Sequence, residues 1–249
     1  MKGMSELDKS FKEKIQKDLL STRSVSIKLE KELAIDRFYR NIKGLDEEAA
    51  QVVKSLKFVS VRGRTAWSIC CLENALEKFA IYNDAWELLL TKMWEHTQLP
   101  KDDDSFLEEW AMFLYYLAPG GRPDNEYNSF VNELQIIKKY SNNKACYIPT
   151  QKEYDTIHQA FKNTNSCLIK LCKGVYNTGT ERLWGWSPDI GSQNSYATIE
   201  IVKVMRQNGI SLPSVEPFVG YEYIEDYDDE FALGPAFDGT QYSKFINKK

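Results

Sequence analysis

Apolar residues recur at helical spacing over most of the chain, and the breaks between the runs predict the elements. Residues 16–42 read as helix-rich but charged, with Leu29, Leu33 and Ile42 as sparse apolar positions. Asp46 opens a clearer helix, in which Ala49, Val52, Val53 and Leu56 share one face. Its end is expected near Phe58, ahead of a break at Arg62-Gly63-Arg64. The next run, GRTAWSICCLENALEKF (Gly63 to Phe79), is apolar on two sides. On a wheel of about 100° per residue, Ala66, Leu72, Leu76 and Phe79 gather around Ile69, while Trp67 and Cys71 fall opposite. A helix apolar on two faces is buried from two sides, so this run predicts a central helix.

Capping signals punctuate the rest. Asp84-Ala-Trp-Glu87 and Ser105-Phe-Leu-Glu108 have the capping-box pattern, as does Thr150-Gln-Lys-Glu153. The first predicts a helix with Trp86, Leu89, Leu90, Met93 and Thr97 on its face, closed by Pro100. The second leads into Phe106, Leu107, Trp110, Phe113, Leu114 and Leu117, stopped by APGGRPDN. Tyr127, Phe130, Val131, Leu134 and Ile137 make a further helix. The third box precedes Tyr154, Ile157 and Phe161, and the polar KNTNS then predicts a kink or two short helices before residues 168–175. A long loop carries Trp184 and Trp186. A last helix runs over residues 195–208, with Gly209 as its left-handed cap and Ile210 as the apolar partner. Beyond Pro213 the chain is aromatic, acidic and irregular, with short extended pieces near FVGYEYI.

The expected fold is therefore all-α: one compact multi-helix domain over residues 1–249. It divides into a charged helical part (1–60), core helices (64–209) and an irregular acidic C-terminal segment (210–249). At 249 residues, the core is large enough to need neither disulfide nor metal. The absence of an apolar run of about 18 residues predicts no membrane span, and the N-terminus lacks the apolar stretch of a signal peptide. Five cysteines do not make a disulfide framework and suggest a reducing cytoplasm.

Charge sharpens the picture. The net charge is −4, but residues 1–64 hold 15 Lys and Arg against 10 Asp and Glu, while residues 207–243 hold eight acids and no base. An acidic balance argues against nucleic acid as a partner. In the C-terminal part Phe218, Tyr221, Tyr223, Tyr227 and Phe231 alternate with Glu222, Glu225, Asp226 and Asp229. Tyrosine offers contact area at low entropic cost, and acids steer a basic partner. Tyr221, Tyr223, Tyr227, Asp226, Asp228 and Asp229, with Trp184 and Trp186 as a competing surface, are the expected partner-binding residues.

Candidate chemistry is sparse. Cys70 and Cys71 are adjacent, but neighbours on a helix point about 100° apart, which favours two plain thiols over a redox pair. Cys167 and Cys172 lack ligand spacing, and His96 and His158 are too few for a zinc site. A calcium loop at Asp226, Asp228 and Asp229 would need glycine where Phe231 stands. No metal, cofactor or catalytic residue is expected. Glu73 is the anomaly, since it falls on the main apolar face and must be paired or hydrogen-bonded. A structural ion pair with Arg62 or Arg64 is the plainer reading. A general acid or base with a raised pKa, working with His96, is the alternative. No nucleophile elbow, phosphate loop or zinc-protease motif accompanies them.

Three stretches, WSICCLENALEKF (67–79), AWELLLTKMWEHT (85–97) and FALGPAFDGTQYSKFI (231–246), resemble a loosely defined set of small all-helical bacterial proteins of the toxin-immunity type. The resemblance implies a cytoplasmic, non-enzymatic protein that neutralises a protein toxin by surface binding, and it carries over no catalytic residue. An enzyme with a carboxylate site near Glu73 and His96, or a regulatory scaffold, are the rival expectations.

Overall fold

The computed structural model describes residues 38–100, 104–121, 126–140, 146–181, 196–221 and 233–246. Among them the chain forms helices and no strand, an all-α architecture. Residues 38–42 are helical and bury Phe38 and Ile42. The elements that follow are α1 (Glu47–Leu56), α2 (Val61–Phe79), α3 (Asp84–Glu95), α4 (Asp104–Leu117) and α5 (Tyr127–Tyr140). After these come α6 (Gln151–Phe161), α7 (Ser166–Gly179), α8 (Tyr196–Gln207) and the single turn α9 (Glu216–Val219). Two 3-10 turns, His96–Gln98 and Gly239–Tyr242, complete the order.

α2 is the axis. It packs along α7 and also meets α8, α3, α9 and the His96–Gln98 turn, while α7 is backed by α8. Its buried positions run round the whole helix, from Ala66, Trp67 and Ile69 through Cys71, Leu72, Ala75 and Leu76. This is the central helix expected from its two apolar faces. Around it, α3, α4, α5 and α6 bury Trp86, Trp110, Phe130 and Tyr154. Buried indoles need an acceptor for their N–H. Trp67 donates to the Pro213 carbonyl at 3.2 Å and Trp110 to that of Lys92 at 2.9 Å.

Several predicted caps hold. The Asp46 side chain accepts from Ala49 N. Thr150 and Glu153 close a reciprocal capping box on α6. KNTNS separates two helices, with Asn165 capping α7. Gly209 adopts φ +60°, and Ile210 N donates to Met205 O at 2.9 Å, the Schellman arrangement that glycine permits.

Others are corrected. Arg62-Gly63-Arg64 is no break but the first turn of α2, capped by Ser60. Glycine is needed there for close packing: a Cβ on Gly63 would overlap Val59 Cγ1. α3 is capped by Asn83, whose side chain accepts from Ala85 N and Trp86 N, rather than by Asp84. Asp84 lies one residue inside, where an acid favours the positive end of the dipole. α4 already includes Asp104, so Ser105 is buried within its first turn instead of capping it. The segment after Pro213 contains α9 and the Gly239–Tyr242 turn.

Candidate functional site

Two clusters of buried polar groups lie on α2, one at each half. The first lies at its N-terminus. Arg62 and Arg64 are buried there, although the first turn of a helix repels cations and this one carries no acid. Arg62 reaches the Leu99 carbonyl at the end of the His96–Gln98 connection. Arg64 donates to Val59 O at 2.5 Å and pairs with Glu181 Oε1 at 2.6 Å, the two side chains 3% and 7% exposed. Backbone groups of the same turn hold two more segments. Ser60 N donates to Tyr221 O at 2.8 Å, and Arg62 N to Leu233 O at 3.3 Å.

His96 belongs to this cluster. Its Nε2 faces the Gly179 carbonyl at 3.2 Å and its ring lies 4.5 Å from that of Trp110. Complete burial pushes its pKa down to about 3; the Gly179 carbonyl opposes this and the Arg62 charge reinforces it. The imidazole is thus neutral, with Nε2–H as the donor.

The second cluster surrounds Glu73, which is fully buried. Trp94 Nε1 and Ser243 Oγ donate to its Oε1 at 2.9 and 2.6 Å, and Lys244 N donates to its Oε2 at 2.6 Å. Its partners are therefore α3 and the C-terminal segment, and the arginines expected to pair with it are engaged elsewhere. Burial raises its pKa, against the lowering effect of those three hydrogen bonds and of the Lys244 charge. Glu73 and His96 share no hydrogen-bond partner: one faces Trp94, Ser243 and Lys244, the other Gly179.

The remaining candidates are placed as follows. All five cysteines are free and buried. Burial raises the Cys70, Cys71 and Cys172 thiols well out of the reactive range, and Cys146 to about 11. His158 is half-buried, its ring 4.3 Å from that of Tyr154. No group of three metal-ligating side chains occurs among the described residues, and no helix among them is long and apolar enough to cross a membrane. A cleft of about 370 Å³ lies between the C-terminal end of α4 and α7, lined by Tyr115, Ala118, Ile169 and Tyr176.

Of the expected partner-binding residues, Tyr221 is half-buried and stacks on Phe237 at 3.9 Å, which makes it an internal anchor as well as a surface residue. Tyr223, Tyr227, Asp226, Asp228, Asp229, Trp184 and Trp186 lie outside the described residues. Their flanks do not. Glu181, which precedes the segment with Trp184 and Trp186, is held by Arg64; Tyr221 and Leu233, which bracket the acidic segment, are held by Ser60 N and Arg62 N. One helical turn therefore anchors the roots of both segments. Sequence reasoning missed this role of the arginines, and their place against the helix dipole was the available signal.

Comparison with known protein families, with curated proteins and with solved structures gives no match.

Proposed function

We propose that the protein is a non-enzymatic cytoplasmic binding protein, a bacterial immunity protein that neutralises a basic protein toxin by surface binding. The observation that carries this reading is the common anchorage at the first turn of α2. Two segments rich in binding chemistry, one with Trp184 and Trp186 and one with Tyr223, Asp226, Tyr227, Asp228 and Asp229, start from positions tied to Ser60, Arg62 and Arg64. Aromatic area and acidic charge rooted at one helical turn suit a partner with a basic face. The five buried free thiols accord with a reducing compartment. The rival enzyme reading is weakened because both Glu73 oxygens are occupied by internal donors and His96 is sealed and neutral.

Affinity capture from the native host, followed by association kinetics of the captured protein at low and high salt, tests the proposal. Association is expected to slow as salt rises, with less change in dissociation. Neutralising Asp226, Asp228 and Asp229 together is expected to reduce the association rate several-fold. A triple variant that associates as fast as the parent at low salt places the interface elsewhere.

A further inference from the structure

The C-terminal residues 237–246 lie over α2 and α3 as a strap. Phe237 N donates to Thr97 O at 3.0 Å, and Gly239 N to Thr97 Oγ1 at 3.2 Å. Gly239 lets the strap approach this closely, since a Cβ there would meet Thr97 Cγ2 and Trp94 Cε3 at 2.7 Å. Farther on, Ser243 and Lys244 bind Glu73, the Lys244 ammonium reaches Glu77, and Phe245 stacks on Tyr82 at 4.5 Å.

Burial across this contact is asymmetric. Glu73, Trp94 and Thr97 beneath the strap are 0–1% exposed. Residues 240–246 above them are all half-buried or exposed. The strap is thus held by polar contacts to Glu73, Glu77 and Thr97 and by Phe237, Tyr242, Phe245 and Ile246, which pack on the core as half-buried side chains, none of them fully buried. A segment without a fully buried side chain opens at lower free-energy cost than the helices it covers. Opening also returns a carboxylate to water, and that regained hydration offsets much of the loss of its three hydrogen bonds.

We propose that residues 237–246 are a detachable strap, latched by Glu73, which opens without unfolding the helices and bares an acid-and-indole surface on α2 and α3. The opened face presents the Glu73 carboxylate, the Trp94 indole N–H and the Cys70 thiol. Cys70 is 9% exposed and lies within electrostatic range of Lys244 and Tyr242 of the strap, whereas Cys71 is fully buried. The two adjacent thiols therefore separate strap opening from global unfolding.

The test uses the full chain and its variants Glu73→Gln, Ser243→Ala and Gly239→Ala. Glu73→Gln leaves one carbonyl oxygen for Trp94 and Ser243 and sets an NH2, which donates but cannot accept, against the Lys244 N–H; Ser243→Ala removes one donor, and Gly239→Ala obstructs the approach without touching charge. Hydrogen exchange followed by mass spectrometry is expected to show residues 237–246 exchanging about tenfold faster or more in Glu73→Gln, and several-fold faster in the other two, with α7 and α8 unchanged. Native alkylation is expected to mark Cys70 ahead of Cys71 and Cys172, and to accelerate in the same order. Loss of protection in the strap and in α7 together would make Glu73 a core group, and failure of Glu73→Gln to fold would point the same way. Unchanged strap exchange in Ser243→Ala and Gly239→Ala, or equal labelling of Cys70 and Cys71, overturns the proposal.

Discussion

The two halves of α2 both bury charge, yet they answer to different constraints. At the N-terminal turn Arg62 and Arg64 are held by helix ends and backbone: the end of the α3 connection, the end of α7 and the carbonyl of Val59. In the C-terminal half Glu73 is covered by the strap, which is itself partly exposed. A buried charge with fixed neighbours has no relief when a partner is removed. A buried charge under a movable cover can be rehydrated. Burial alone does not rank the two clusters: Glu73 lies under a partly exposed segment, Arg62 and Arg64 under fully packed ones, and the cost of opening the cover sets the difference.

The largest effect is expected from Arg64→Met, which strips the cation from Glu181 in a closed site. Breaking a buried pair this way costs about 3–5 kcal/mol, read by urea unfolding, and Arg64→Met combined with Glu181→Met should recover much of it. A loss no greater than that of Glu73→Ala would collapse the distinction between the two clusters.

Acid probes the same end. His96 refuses a proton in the folded state until about pH 3, whereas the unfolded chain accepts one near 6.5. Between these values the unfolded state binds more protons, so stability falls as pH falls. By about pH 4 this contribution amounts to roughly 3 kcal/mol. His96→Gln, which keeps a donor for Gly179 O, is expected to flatten that part of the profile. Glu73 runs the other way. Its raised pKa means that the folded state holds the proton more tightly, so its contribution is most favourable below 4.5 and weakens as pH rises from there through its folded value. A variant profile as steep as the parent's would remove His96 from the account.

Glu73→Ala is expected to cost less, about 1–3 kcal/mol, because its three donors find water once the strap lifts. A cost equal to that of Arg64→Met would show that the strap cannot open. The smallest effect sharpens the boundary of α2. Ala80 ends that helix at φ +51° with an exposed side chain, a conformation in which any residue with a Cβ is strained. Ala80→Gly is expected to stabilise by about 0.5–1 kcal/mol in the same unfolding assay, with no change in strap exchange.

The helices were legible because their signal is local. α2 announced itself as central through Trp67 and Cys71 opposite Ile69, and Gly209 announced its turn. Ala80 did not, since alanine carries no mark of the left-handed conformation. The cap misread by one residue at Asn83, and the start of α4 at Asp104 ahead of Ser105, reflect competing acceptors side by side in sequence. Glu73 was recognisable as a buried charge, but its partners were not, because Trp94 is 21 positions away and Ser243 is 170.

The sequence by itself determined an all-helical chain, its central helix, most of its helix ends and the presence of a carboxylate in the core, because periodicity and capping act over a turn or two. Tertiary structure alone decided which groups met that carboxylate and which segments the first turn of α2 would clamp. Hydrogen-bond partners in a core are chosen by the packing of distant elements, and Glu181, Leu233 and Lys244 carry no sign in the chain of the turn or side chain they would reach.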